Sequence, residues 1–130
     1  MNKAGKKTRD IYFRSEKNNG LICVHTEIER SYAKELESSL SVASYETGVI
    51  LRKDLYCYVN PVGIRKLYFD TDWASDFLIK FEDGSIGIRE LILKDNLSKR
   101  SEIEKLEFSR RYWAAENVKS WKIIVVERRA

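Results

Sequence analysis

The chain has 130 residues, of which 43% are hydrophobic, so it is long enough for one domain with a single modest core. Its 24 Lys and Arg residues against 20 Asp and Glu give a net charge of only +4, which is compatible with binding to nucleic acid but common in other domains. No apolar run approaches the roughly 20 residues that a membrane span needs, and no signal peptide is recognisable. We therefore expect a cytoplasmic protein and exclude the membrane as a partner.

The cysteine and histidine content predicts that no cysteine–histidine cluster and no zinc site form. The two cysteines, Cys23 and Cys57, are far apart and form no CxxC pair, and His25 is the single histidine. We expect both cysteines to be buried, reduced thiols of an intracellular protein.

The chain reads as a single domain spanning residues 1–130, because it has one proline and no linker or repeat. Basic residues are frequent within residues 1–9 and recur at Arg128 and Arg129. Terminal charge clusters of this kind are typical of solvated tails, and some contact phosphates. We expect residues 1–9 to form a flexible basic tail.

The first elements are predicted to be a hairpin and a helix. In residues 11–24, two β-prone runs flank the turn-forming segment Asn18-Asn19-Gly20. Apolar residues then recur every four positions over residues 25–40, which predicts a helix. Thr26 is its expected N-cap and Glu29 the expected capping-box partner.

The rest of the chain predicts several strands and a second helix, which begins with a capping box of Ser101 and Glu104. The last strand lacks alternation and is expected to be buried. The predicted elements are strands at 43–50, 55–59 and 64–69, a hairpin at 73–94, a helix at 101–118 and a strand at 121–126. This order predicts an α/β fold with a mixed, partly antiparallel sheet flanked by helices.

The hairpin at residues 73–94 carries an acid and a base at matched ends. If its turn centres on Ser85, Asp76 and Lys94 each lie nine residues from the centre and face each other at about 5.5 Å between Cα atoms. A carboxylate that holds Mg²⁺ and a nearby ammonium are what phosphodiester hydrolysis needs. One carboxylate holds Mg²⁺ poorly, so a second must come from another element.

Three segments resemble, in order, parts of the TnsA transposon endonuclease: residues 10–29 (DIYFRSEKNNGLICVHTEIE), residues 75–84 (SDFLIKFEDG) and residues 102–113 (EIEKLEFSRRYW). The likeness covers most of residues 10–127. It implies a restriction-endonuclease-like fold of the PD-(D/E)xK superfamily. The implied activity is a DNA endonuclease that uses Mg²⁺ or Mn²⁺ in transposition or in another DNA-processing step of a mobile element or phage.

The resemblance also implies the roles of individual residues. It assigns catalysis to Glu29, Asp76 and Lys94, with the metal held by Glu29, Asp76 and the backbone carbonyl of Leu93. The superfamily usually has Glu or Gln two residues before the lysine, and here that residue is Ile92. Glu90 lies four residues before Lys94, on the same strand face, and is expected to substitute in part from a shifted position.

Each of these residues also has an ordinary structural interpretation. Glu29 can cap its helix, Asp76 can be an acid at a strand end, and Lys94 can be a solvated lysine. Arg110 and Arg111 are expected either to contact DNA phosphates or to lie on the wet face of the second helix.

We therefore predict a Mg²⁺-dependent endodeoxyribonuclease of a bacterial or phage-infected bacterial cell, with DNA and a transposase or recombinase, or a second copy of the chain, as partners. Two alternatives stay open. One is a nuclease of the Holliday-junction resolvase kind. The other is a non-catalytic module that retains the fold to bind DNA or a protein, and Ile92 favours it.

Overall fold

A computed structural model of the chain describes residues 1–4 and 9–127. Its helices and strands are β1 (Asn2–Lys3), β2 (Ile11–Ser15), β3 (Gly20–Val24), α1 (Glu27–Ser38), β4 (Val42–Ile50), β5 (Trp73–Phe81), β6 (Ile86–Leu93), α2 (Arg100–Ala115) and β7 (Ser120–Val126). Short 3₁₀ segments cover Lys53–Tyr58, Lys66–Asp70 and Lys94–Asn96.

Five of the strands form one mixed sheet. β4, β5 and β6 pair antiparallel, β7 joins β6 in parallel, and β1 pairs antiparallel with β5. β2 and β3 form a separate antiparallel hairpin. The structure confirms the predicted class, α/β with a mixed and partly antiparallel sheet.

The long strand β5 pairs with β4 along one edge and with two strands, β6 and β1, along the other. β4 pairs with it over nearly its whole length, from Val42 opposite Phe81 to Ile50 opposite Ala74. On the other edge, β6 pairs with residues 77–80, and β1 pairs with Trp73 and Ala74. Residues 75 and 76 therefore lie where one neighbour ends and the next begins.

Two groups of buried side chains hold the helices in place. The α2 side chains Phe108, Tyr112 and Trp113 pack with Trp73 and with the 3₁₀ segments. On α1, Ala33 and Leu36 pack with β3, β4 and β5. Because both helices are anchored to β5 and its neighbours, their side chains have fixed positions relative to the sheet.

The predicted strands at residues 55–59 and 64–69 are wrong, because these segments lie in or beside two 3₁₀ helices. Their alternating aromatic residues suggested a sheet surface, but Tyr56 and Tyr68 are buried against α2 and β5, and tertiary packing decides the backbone conformation. By contrast, residues 43–50 fall within a nine-residue strand. A register shift between Val42 and Ser44 weakens its sequence pattern.

Two further expectations about the second half of the chain are corrected. The final strand forms but is not buried, because it lies at the sheet edge and leaves Ile123 39% and Val125 47% exposed. The helix α2 is capped at Lys99 with no side-chain hydrogen bond, so Ser101 and Glu104 form no capping box there. Glu104 instead pairs with Arg65 and Arg100.

Part of the expected basic tail forms a strand. Residues 2–3 form β1, and the side chain of Met1 is buried. The rest of that prediction falls partly on residues 5–8, which lie outside the described residues, as do Arg128 and Arg129. The expected burial of both cysteines is wrong for Cys57, which is exposed, whereas Cys23 is half-buried.

Candidate metal centre

Asp76 and Glu90 meet where β5 and β6 separate. The observed register pairs Phe77 with Arg89, so the next positions along the ladder are Asp76 and Glu90. Here side chains replace ladder hydrogen bonds: the Asp76 N–H donates to Glu90 Oε1 at 3.2 Å, and the Leu91 N–H donates to Asp76 Oδ2 at 2.8 Å. The two strands are therefore held apart by two carboxylates, and a space opens between them.

Glu90 is fully buried and is hydrogen-bonded to residues of β5 and α2. The hydroxyl of Ser75 donates to Oε2 of Glu90 at 2.6 Å, and the hydroxyl of Ser109 on α2 donates to the same oxygen. Both serines in turn accept a tryptophan N–H, Ser75 from Trp113 and Ser109 from Trp121. A buried carboxylate needs this degree of hydrogen bonding, because its desolvation is costly.

A cavity of about 200 Å³ opens beside this carboxylate pair. Two further carboxylates line the cavity with Asp76: Glu29 from the first turn of α1 and Glu102 from the first turn of α2. The other lining residues are Met1, Thr26, Ile28, Leu91, Ile92, Leu93 and Asn96. Acidic groups from β5 and from both helices thus converge on one space.

Glu29 is placed by the start of its helix. Thr26 is the N-cap, since its hydroxyl accepts the Glu29 N–H at 3.1 Å, as predicted from the sequence. In the reciprocal contact, the Thr26 hydroxyl donates to Glu29 Oε1 at 3.0 Å. The side chain of Glu29 is 6% exposed, and its charge acts on Asp76, so capping its own helix does not remove it from the cavity.

A positive charge lies between Asp76 and Glu90 in this structure. The α-ammonium of Met1 is 3.2 Å from Glu90 Oε1 and 3.6 Å from Asp76 Oδ2. Burial lowers the pKa of this ammonium, but Glu90 and Asp76 oppose the effect and raise the pKa overall to about 10. The carboxylate pair therefore stabilises a cation at this position.

The pKa of Asp76 is raised to about 7. Burial is the largest cause, since it disfavours the charged carboxylate, and the negative charges of Glu90 and Glu29 act in the same direction. The Met1 ammonium and the Leu91 N–H oppose the rise. A carboxylate with these neighbours gains stability from a cation, which is the electrostatic condition for metal binding.

The predicted pairing of Asp76 with Lys94 is wrong. The sequence placed the centre of the hairpin at Ser85, but the observed pairs, such as Lys80 with Ile86, place it two residues earlier. Asp76 consequently lies across from Glu90. Lys94 follows the end of β6, is 63% exposed and pairs with Glu127 at 3.1 Å. It is not among the residues that line the cavity, although Leu93 is.

A lysine to which the sequence analysis assigned no role contacts a residue that lines the acidic cavity. Lys105 on α2 is 24% exposed, and its ammonium is 3.4 Å from the carboxylate of Glu102, which lines the cavity. The same ammonium lies over the ring of Trp73 at 5.7 Å from its centroid. Its spacing of three residues from Glu102 on a helix was the available signal.

The two arginines proposed to contact DNA have different surroundings. Arg111 donates to the carbonyls of Asn60 and Val62 and to Glu107, so it fastens the loop before the second 3₁₀ helix to α2. Arg110 also pairs with Glu107 but is about half exposed. Arg110 is therefore the more accessible of the two to a phosphate.

The sequence matches no known protein-family model and no curated protein. In the described part of the chain, no helix is long and apolar enough to cross a membrane.

Proposed function

We propose that the protein is a Mg²⁺-dependent endonuclease that hydrolyses phosphodiester bonds in DNA, with a restriction-endonuclease-like fold and a TnsA-like role in mobile-element or phage DNA processing. The observation that carries the proposal is the convergence of acidic side chains: Asp76 and Glu29 line one cavity, and Glu90 lies beside Asp76 and accepts its N–H. The separation of β5 and β6 at this point supports the fold assignment.

The residues at this position fit Mg²⁺ better than a softer ion. Mg²⁺ prefers oxygen ligands, and the groups here are carboxylates from β5, β6 and α1. The Met1 ammonium stands in for the ion, since it occupies the place where positive charge is stabilised. Asp76, Glu90 and Glu29 would hold the metal, and Met1 has to move aside when it binds.

In this proposal, a bound Mg²⁺ would supply positive charge that polarises the phosphate and lowers the pKa of the attacking water. The chain supplies the remaining requirements. Ser75 and Ser109 hold Glu90 in one orientation, and the N-cap residue Thr26 holds Glu29. The buried setting raises the pKa of Asp76 and strengthens its attraction to a cation.

Lys105 takes the role that the sequence assigned to Lys94. A cation beside the cavity neutralises charge that develops on the phosphate. The ammonium of Lys105 is held beside the cavity by Glu102 and by the ring of Trp73, whereas Lys94 is paired with Glu127 at the sheet edge. Ile92, which lines the cavity, leaves no polar group on β6 between Glu90 and Lys94 to bring Lys94 into place.

The second candidate function is a DNA- or protein-binding module without catalysis. The hydrogen bonds of Glu90 favour it, because Ser75, Ser109 and the Asp76 N–H already satisfy a carboxylate that has no exposed surface. On this interpretation, Glu90 joins the sheet to α2 and the Met1 ammonium neutralises it permanently.

Nicking of supercoiled plasmid in Mg²⁺ or Mn²⁺ distinguishes the two functions. We expect the wild-type protein to nick, and Asp76→Ala to abolish nicking while the protein stays folded by circular dichroism. Asp72→Ala is the matched control, since Asp72 is exposed and forms only a 3.8 Å pair with Lys53 among the described residues. Equal nicking by wild type and Asp76→Ala, or none by wild type, would reject the nuclease proposal.

A further inference from the structure

The β2–β3 hairpin carries a second group of metal-ligating side chains. One face of the hairpin is apolar and packs against the core through Ile11, Phe13, Ile22 and Val24. Strand alternation therefore turns Tyr12 and Cys23, which pair directly across the hairpin, toward the other face. Asp10 and His25 extend this register by one pair at the open end of the hairpin.

The ligand atoms of Asp10, Cys23 and His25 all lie within 4.8 Å of one another. Oδ1 of Asp10 is 3.2 Å from Nδ1 of His25. Zinc bonds of about 2.0 Å to nitrogen and oxygen in a tetrahedron separate those two atoms by about 3.3 Å. The carboxylate and the imidazole thus already have the spacing of two zinc ligands, and only a small movement of the thiol is required.

We propose that Asp10, Cys23 and His25 bind a divalent transition-metal ion, with Zn²⁺ as the best fit, and leave one coordination position open. A thiolate, an imidazole and a carboxylate are the donors that Zn²⁺ uses, whereas Mg²⁺ avoids sulfur. Asp10 is 33% and His25 31% exposed, so an ion can enter without opening the fold. The site is separate from the Asp76 cavity, and its chemistry does not depend on the nuclease proposal.

Nδ1 of His25 lies close to two oxygens. It is 3.1 Å from the carbonyl of Arg9 and 3.2 Å from Oδ1 of Asp10, so a proton on Nδ1 can be shared between these two acceptors when no metal is bound. Metal binding replaces that proton and the thiol proton, and both are released to solvent.

The position in the chain gives the site a structural consequence. It joins the residue before β2 to the end of β3, and His25 immediately precedes Thr26, the N-cap of α1. A bound ion would therefore fasten the open end of the hairpin next to the helix that carries Glu29. Binding to the folded state alone stabilises it, so Zn²⁺ should raise the melting temperature.

The expectation that no cysteine–histidine cluster forms is wrong, because Cys23 and His25 lie together with Asp10. The two cysteines form no CxxC pair, whereas the ligands are Asp10 on one arm of the hairpin and the C-x-H pair Cys23 and His25 on the other. The register of the predicted hairpin was the signal, because Ile11 opposite Val24 places Asp10 opposite His25.

The test is a Co²⁺ titration of untagged protein, monitored by absorption, followed by competition with Zn²⁺. We expect a thiolate-to-cobalt charge-transfer band whose intensity corresponds to one Co²⁺ per chain, and loss of the band on addition of Zn²⁺. Cys23→Ser should remove the band, and His25→Ala should weaken binding at least tenfold. Cys57→Ser is the matched control because it removes the other, exposed thiol, and it should bind like wild type.

Several results would overturn the proposal: no charge-transfer band in wild type, a band that survives in Cys23→Ser but not in Cys57→Ser, or equal affinity in His25→Ala. Should Cys23→Ser fail to fold, Asp10→Asn and His25→Ala serve instead, since both positions are partly exposed. Asp76→Asn should bind Co²⁺ at the hairpin normally. Loss of nicking with retained thiolate binding would thus separate the two sites.

Discussion

Glu90 accepts the backbone N–H of Asp76 at 3.2 Å, although the sequence placed Lys94 across from Asp76. This contact makes Glu90 the second carboxylate of the site and explains why β5 and β6 part at that level. The same carboxylate also accepts Ser75 and Ser109, so the site and the packing of α2 on the sheet share one buried group.

The first prediction concerns this shared group. Ser109→Ala should lower the free energy of unfolding by about 1–3 kcal/mol, because it removes a donor from the buried Glu90 and an acceptor from Trp121. Urea denaturation measures the change. Ser38→Ala is the control: Ser38 is exposed and donates only within α1 among the described contacts, so a change within about 0.5 kcal/mol is expected. Equal effects of the two substitutions would contradict the role of Glu90.

The second prediction concerns pH. The pKa of Asp76 rises from its ordinary value of 3.8 to about 7 in the folded protein, so between these values the folded state holds a proton that the unfolded chain has released. Asp76 therefore reduces the free energy of unfolding as pH rises through this window. As the pH rises from 4 to 8, the free energy of unfolding of Asp76→Asn should increase by about 1–3 kcal/mol relative to that of wild type. Parallel stability curves for the two proteins from pH 4 to pH 8 would show that the carboxylate titrates normally.

The third prediction separates the two lysines. Lys105→Ala should lower the nicking rate by about 100-fold, because it removes the cation beside the acidic cavity. Lys94→Ala should leave the rate within about threefold, since Lys94 pairs with Glu127 in the solvent and that pair contributes little. Initial rates at saturating Mg²⁺ measure both. A larger loss in Lys94→Ala than in Lys105→Ala would restore the role that the sequence predicted for Lys94.

The fourth prediction concerns the cap of α1. Thr26→Ala should destabilise the protein by about 1 kcal/mol, because Thr26 caps the helix and also donates to Glu29. Thr26→Ser keeps the hydroxyl and should recover most of the loss. If Glu29 is a metal ligand, Thr26→Ala should in addition weaken Mn²⁺ binding, whereas a purely structural cap would change stability alone.

The sequence predicted elements well where turn chemistry and periodicity agree. The Asn18-Asn19-Gly20 turn and the four-residue spacing of α1 gave the hairpin, the helix and its N-cap. In contrast, the turn between β5 and β6 allows several geometries, and Gly84 adopts a φ of +87° there. An error of two residues in the hairpin centre shifts every cross-strand partner by four residues. The sequence therefore predicted Lys94 across from Asp76, where the structure has Glu90.

The rest of the site depends on contacts that no local pattern records. Asp76 and Glu29 are far apart in the sequence, and only packing of α1 against β5 brings both to one cavity. Met1 reaches the carboxylates because β1 takes up the edge of β5 that β6 leaves free. The edge position of β7 likewise follows from sheet order rather than from its composition.

The most direct test of the metal centre is an Mn²⁺-binding titration followed by electron paramagnetic resonance, with His25→Ala as the background to remove the hairpin site. We expect the background protein to bind one Mn²⁺ at pH 8 and the Asp76→Asn derivative to bind none at the same concentrations. Glu90→Gln should also weaken binding. Equal Mn²⁺ binding by the background protein and its Asp76→Asn derivative, or none by either, would contradict a cation site between Asp76 and Glu90.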